Sequence, residues 1–101
     1  MVDWLQTRFS KTTNSIVNAG VFGSVSAGSS MPNDCDLYIV SLAEPDSIQW
    51  YQLKKTIIKI REDFFSQFKI SLNVILFTLE EWEEKKGFFH ASLPLYYLKI
   101  V

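Results

Sequence analysis

The chain has 101 residues, of which 48% are hydrophobic, 15% aromatic and 21% charged. This composition is typical of a single globular domain over residues 1–101, and it excludes a disordered or collagen-like chain. The net charge of −1 gives no general basic field, which argues against nucleic acid as a direct, strongly bound partner. The single cysteine, Cys35, excludes an internal disulfide and a cysteine-based zinc site, and indicates a reducing compartment.

The chain lacks the sequence features of a membrane or secreted protein. Its apolar runs are far shorter than the roughly 20 residues that a membrane helix needs. The N-terminus, Met1-Val2-Asp3-Trp4, lacks the basic start and the apolar core of a signal peptide. We therefore expect a cytoplasmic protein with no membrane partner. A domain of this size buries only about 60–65% of its unfolded surface, so a second copy or another protein is an expected partner.

The first half of the chain predicts a short helix and two strands. Asp3 can begin the helix, with Gln6 three residues later as in a capping box. Residues 15–22 are small and β-branched and predict a buried strand. Residues 34–40 alternate between polar and apolar side chains and predict a second strand. Residues 23–30 are small and polar and predict a loop or the start of a short helix, and residues 31–33, Met-Pro-Asn, predict a turn.

A long helix follows, opened by residues 44–47 with Asp46 as the predicted cap. Its apolar residues recur every three or four positions, which is the spacing of one helix face: Trp50, Leu53, Ile57, Ile60, Phe64 and Phe68. Tyr51, Ile58 and Phe65 are expected to widen this core stripe.

The last third predicts a strand over 70–77 and a short helix. Residues 78–81, Thr-Leu-Glu-Glu, match a capping box, and Gly87 is expected to end the helix. The apolar segment 88–101 fits a strand or a helix equally well. The predicted fold class is α+β, a small mixed sheet of three to four strands packed against helices.

Asp34 and Asp36 are the first candidate site residues. Side chains two residues apart on a strand share a face, with Cα atoms about 6.5 Å apart. Two carboxylates about 5 Å apart repel by roughly 3 kcal/mol at an effective dielectric constant of 20. A divalent cation between them removes that cost, and Mg²⁺ shared with substrate phosphates suits so few oxygen ligands. A solvated strand end is the alternative interpretation of the same two residues.

Gly23 and Ser24 precede this pair in a loop of small residues. Glycine lets the backbone approach a phosphate, and exposed N–H groups with a serine hydroxyl can hold it. A helix cap is the alternative role for Ser24. A phosphate cradle eleven residues before a pair of carboxylates is nevertheless the outline of a nucleotide and metal site.

The segments Phe22–Gly28 and Pro32–Val40 together resemble the signature of the DNA polymerase beta-like nucleotidyltransferase superfamily. The chain is similar to its small members, the minimal nucleotidyltransferases, and to the aminoglycoside nucleotidyltransferase signature. The resemblance implies that Gly23 and Ser24 bind the phosphates of ATP or another nucleoside triphosphate. It implies that Asp34 and Asp36 are catalytic and bind Mg²⁺, while NMP, with AMP the first candidate, moves to an acceptor hydroxyl and pyrophosphate leaves.

The sequence departs from the family pattern at the third acid, which lies on the next strand. Asn73 stands there, and an amide can neither accept a proton at pH 7 nor add charge for a second cation. The loop from Gly23 to Asp34 also lacks the Arg or Lys of many relatives. The alternative is therefore a catalytically degenerate module that binds nucleotide or a protein partner, as antitoxin-like members pair with a small helical protein. An unrelated α+β domain with a chance Asp-x-Asp is the third interpretation.

Overall fold

The computed structural model describes residues 2–10, 15–22, 34–92 and 95–97. Its elements, in chain order, are α1 (Val2–Ser10), β1 (Ile16–Phe22), β2 (Asp34–Ser41), α2 (Ile48–Phe68), β3 (Ser71–Thr78), α3 (Leu79–Ser92) and β4 (Leu95–Tyr97). The predicted α+β class is confirmed. Among the helices in these ranges, none is long and apolar enough to cross a bilayer.

The four strands form one mixed sheet in the order β3-β2-β1-β4. β1 is antiparallel to both β2 and β4, whereas β2 and β3 are parallel. The parallel pair is connected through α2, because a parallel connection needs a crossover segment. This crossover brings the starts of β2 and β3 to the same end of the sheet.

Both faces of the central strand β2 are covered over most of its length. One face carries Cys35, Leu37 and Ile39, which belong to the main core with α1 and α2. The opposite face carries Tyr38 and Val40, which form a second cluster with Phe77 and Trp82. The helices α1 and α2 therefore cover one side of the sheet and α3 covers part of the other.

The start of α2 differs from the predicted cap. Ser47 is the N-cap, and its hydroxyl accepts a 3.1 Å hydrogen bond from the backbone N–H of Trp50. Asp46 instead has a φ of 68° and accepts a hydrogen bond from the hydroxyl of Tyr51. A serine at this position satisfies one of the open N–H groups of the first turn, whereas the left-handed conformation of Asp46 belongs to the preceding turn.

The predicted core stripe of α2 is right at its centre and wrong at its edge. Leu53, Ile57, Ile60 and Phe64 are buried. Tyr51, Ile58 and Phe65, which were expected to widen the stripe, are instead 52%, 54% and 54% exposed. At about 100° per residue, these three residues lie on the opposite side of the helix from the buried row, so they do not reach the core.

The capping box at the start of α3 is confirmed in both directions. The Thr78 N–H donates to Glu81 Oε1 at 2.9 Å, and the Glu81 N–H donates to Thr78 Oγ1 at 3.1 Å. The expectation that Gly87 ends this helix is wrong, because α3 continues to Ser92. A glycine inside a helix destabilises it by only about 1 kcal/mol relative to alanine, and α3 tolerates Gly87 in its interior. The undecided apolar segment completes α3 and then contributes β4.

Candidate functional site

The face of β2 that carries Asp34 and Asp36 changes character along the strand. The two acids occupy its first half and are partly exposed, while Tyr38 and Val40 in its second half are buried beneath α3. Because side chains alternate along a strand, Cys35 points away from the acids into the main core, as predicted. The two carboxylates therefore share one open patch at the start of the strand.

Asn73 joins these two carboxylates from the neighbouring strand. The parallel register places Asn73 directly beside Asp36. Its Nδ2 donates to Asp34 Oδ2 at 3.0 Å and to Asp36 Oδ1 at 3.2 Å. The residue predicted to stand at the third acid position is thus in contact with both aspartates.

The Asn73 amide relieves part of the repulsion between the two acids. Its NH₂ group has two N–H donors, and hydrogen bonds to ionised oxygens are stronger than neutral ones. The amide carries no net charge, however, so it places no positive charge beside the two carboxylates. This arrangement favours binding of a cation.

Gly23 and Ser24 lie outside the described residues. Their neighbour Phe22 ends β1 and pairs with Asp36, so the chain leaves the sheet beside the carboxylates and continues directly into Gly23. The segment predicted to hold phosphates therefore begins next to the acids.

The pKa of the Cys35 thiol is affected by the two acids at this end of β2. Burial raises the pKa of its thiol to about 12, and the charges of Asp36 and Asp34 contribute in the same direction. The thiol is 0% exposed and stays protonated at neutral pH, so it is neither a nucleophile nor a metal ligand in the folded protein.

The donor set suits one Mg²⁺ ion better than two. Mg²⁺ is commonly held by one or two carboxylates, with water and substrate phosphates completing its shell. Each carboxylate has about four lone-pair sites, so a hydrogen bond from Asn73 leaves it able to bind a cation. The described residues contain no group of three or more His, Cys, Asp or Glu side chains suited to a metal. A single ion held by Asp34 and Asp36 would therefore need further ligands from outside this pair.

An aromatic contact that the sequence pattern did not predict fixes the second half of this face. The Tyr38 ring stacks on Trp82, with centroids 4.4 Å apart and an interplanar angle of 20°, and the ring also lies close to Gly20 of β1. A Cβ at position 20 would lie 2.6 Å from Tyr38 Cε1. The signal that could have revealed this contact is a glycine inside an otherwise apolar strand, since such a residue often marks a close approach.

Comparison with known proteins adds no family assignment. No family model matches the chain, and no curated protein matches it significantly. The functional interpretation therefore depends on the residues of the site and on the resemblance of their pattern.

Proposed function

We propose that this domain binds a nucleoside triphosphate with Mg²⁺ and transfers its NMP group, with AMP the first candidate, to an acceptor hydroxyl. The observation that supports this is the grouping of Asp34, Asp36 and Asn73 on one open patch of the sheet, beside the strand end that leads into Gly23. A patch of two carboxylates next to a glycine-serine loop has the parts that a triphosphate and one cation require.

In the proposed reaction, an oxygen of the acceptor hydroxyl forms a bond to the α-phosphorus. The bond from the α-phosphorus to the bridging oxygen breaks, and pyrophosphate leaves with that electron pair. The hydroxyl proton passes to solvent, because the neutral amide of Asn73 cannot accept it. When bound, Mg²⁺ supplies charge stabilisation at the phosphate oxygens. Asp34 and Asp36 hold that charge in place, and Gly23 and Ser24 would bind the phosphates.

A second function is favoured by the role of Asn73. Its amide donates hydrogen bonds to the two aspartates and provides no negative charge for a second cation. The second candidate is therefore a degenerate module that binds Mg-nucleotide, or a protein partner such as a small helical protein, without transferring NMP.

One experiment separates these functions. The wild-type protein is incubated with Mg²⁺, ATP labelled at the α-phosphate and the protein encoded beside it in the genome. Nucleotide binding, pyrophosphate release and label transfer are measured together. Asp36→Asn is the test variant. Asp46→Asn is the matched control, because Asp46 lies at the start of α2 outside the site and asparagine accepts its positive φ.

Transfer that is lost in Asp36→Asn and kept in Asp46→Asn supports the nucleotidyltransferase. Saturable Mg-ATP binding that needs Asp36, without pyrophosphate release, supports the degenerate module. Absence of Mg-ATP binding by the wild-type protein contradicts a nucleotide function of either kind and leaves a module that binds only a protein partner, or an unrelated α+β domain.

A further inference from the structure

The parallel strands β2 and β3 end in a crevice at the opposite end of the sheet from the two aspartates. β2 is followed by α2, which covers one face of the sheet, whereas β3 continues directly into α3, which covers part of the other face. The two connections therefore leave the sheet in opposite directions and open a gap between them. In open sheets with parallel strands, such a point outside the carboxyl ends of the strands is where ligands commonly bind.

Two segments line this crevice, residues 41–45 at the end of β2 and residues 78–81 at the start of α3. Its volume of about 680 Å³ lies within the range of roughly 300–1,000 Å³ found for small-molecule sites. The first segment is held by the buried Ser41, whose Oγ accepts a 2.9 Å hydrogen bond from the Ala43 N–H and donates to the Ala43 carbonyl oxygen at 3.3 Å. The second segment is held by the capping box of α3. Hydrogen bonds within the chain therefore shape both walls.

The side chains of the crevice favour a ligand that has both positive charge and an apolar part. The carboxylates of Glu44 and Glu80 form no ion pair in the part of the chain that the structure describes. Among the described residues that line the crevice, none is Lys, Arg or His, so its negative charge is not neutralised there. Leu42 and Leu79 are 52% and 43% exposed and provide apolar surface in the same crevice, which an alkyl chain can cover.

The start of α3 argues against an anionic ligand in this crevice. A helix N-terminus attracts anions through its open N–H groups. Here the carboxylate of Glu81 already accepts the hydrogen bond from the Thr78 N–H at 2.9 Å, and Glu80 adds a second negative charge in the first turn. A phosphate or carboxylate group would therefore meet like charges at the position where an uncapped helix offers N–H donors.

We propose that the crevice binds an organic cation with an alkyl chain and two or more amino groups, which is the shared chemistry of a free polyamine and of the lysine side chains of a peptide. The amino groups pair with Glu44 and Glu80, and the alkyl chain covers Leu42 and Leu79. An exposed pair of opposite charges contributes less than about 1 kcal/mol, so the alkyl contact decides between this ligand and an inorganic cation. The site is separate from the proposed nucleotide site, because Asp34 begins β2 and Ser41 ends it, and seven strand residues span about 23 Å.

The first test is a titration of the full ¹⁵N-labelled chain with spermidine, followed through the amide chemical shifts. We expect saturable shifts concentrated at residues 41–45 and 78–81, and weaker binding at higher salt. Glu44→Gln and Glu80→Gln should each weaken binding by about two- to fivefold. Glu62→Gln is the matched control, since it removes the same charge from an exposed position on α2 outside the crevice, and it should bind like the wild-type chain.

Asp36→Asn separates the crevice from the other acidic patch, because spermidine could also be attracted by the two aspartates. Shifts at residues 41–45 and 78–81 that persist in Asp36→Asn support the crevice. Shifts that centre on the start of β2 and disappear in Asp36→Asn overturn the proposal. Absence of saturable shifts up to millimolar spermidine, or equal affinities of Glu80→Gln and Glu62→Gln, also overturns it.

The second test addresses the alkyl contact and the source of the ligand. Hexaamminecobalt(III) carries the same charge as spermidine but has no alkyl chain. Leu42→Asn should weaken spermidine binding by about threefold or more and leave the affinity for hexaamminecobalt(III) unchanged; equal losses for both cations, or tighter binding of hexaamminecobalt(III) by the wild-type chain, overturn the proposal. An acetylated peptide amide with two lysines is titrated in parallel. Saturable binding of either organic ligand at the crevice supports the proposal, and the tighter of the two identifies the source.

Discussion

Replacing Asn73 by aspartate would turn the amide that joins the two acids into a third carboxylate. The change removes two hydrogen bonds, at 3.0 and 3.2 Å, each worth about 1 kcal/mol at an exposed position. It adds two like-charge contacts of about 1 kcal/mol each at 4 Å in water. Without a divalent cation, we expect the free energy of unfolding to fall by about 3–4 kcal/mol, which lowers Tm by at least about 10 °C.

Mg²⁺ should reverse much of this loss. A cation at one hundred times its dissociation constant stabilises the folded state by about 2.7 kcal/mol, and three carboxylates bind it more tightly than two. Thermal unfolding with and without Mg²⁺ measures the effect. The gain in Tm from Mg²⁺ should be larger for Asn73→Asp than for the wild-type chain. If Asn73 marks the missing third acid, the variant should also release more pyrophosphate from Mg-ATP.

Asn18→Asp is the matched control for this experiment. Asn18 lies on β1, where its Oδ1 accepts a hydrogen bond from the Tyr38 hydroxyl, and an aspartate oxygen can accept the same hydrogen bond. Its Tm should not depend on Mg²⁺ more than that of the wild-type chain. The reasoning is refuted if Asn73→Asp keeps the wild-type Tm in the absence of divalent cations, or if Mg²⁺ stabilises both proteins equally.

Three further predictions concern the fold. Gly20→Ala should lower the free energy of unfolding by about 1–3 kcal/mol in urea titration, because the new Cβ would meet the Tyr38 ring at 2.6 Å; unchanged stability would contradict the contact. Cys35, with its pKa raised to about 12 by burial, should resist thiol reagents at pH 8 until the chain unfolds, and native reactivity like that of a free thiol would disprove its burial. The hydrogen bond from Arg8 lowers the pKa of Asp63, so the pair should stabilise the fold above about pH 4 and lose this effect as the pH falls through the native pKa. Arg8→Met should therefore lower Tm at pH 7, and its difference from the wild-type chain should shrink as the pH falls below about 4, whereas a pH-independent difference would show that the charge of Asp63 is not involved.

Local sequence patterns were sufficient to predict most of the helices and strands. The alternation of residues 34–40 predicted β2 and its core-facing side, and the Thr-Leu-Glu-Glu box predicted the start of α3. These signals are readable because the contacts that produce them join residues only a few positions apart. The predicted end of α3 at Gly87 was wrong, because the helix continues to Ser92. A single glycine is a weak helix-ending signal when apolar residues follow it.

The candidate site was predicted only in part. The two aspartates share a face because side chains alternate along any strand, so this part needed no tertiary structure. The alignment of Asn73 with the third acid came from a family pattern. Its two hydrogen bonds to the aspartates depend on the register of β2 and β3, which are separated by the whole of α2.

The sequence by itself determined that this chain forms an α+β domain with two acids on one side of a strand, because periodicity and capping are local properties. Only the tertiary structure decided that Asn73 hydrogen-bonds both acids, that Tyr38 contacts both Gly20 and Trp82, and that Tyr51, Ile58 and Phe65 remain exposed. Each of these features depends on how segments that are far apart in the sequence are placed next to one another in the fold. A helix pattern records which residues are apolar, whereas the position of the helix over the sheet decides which of them are buried.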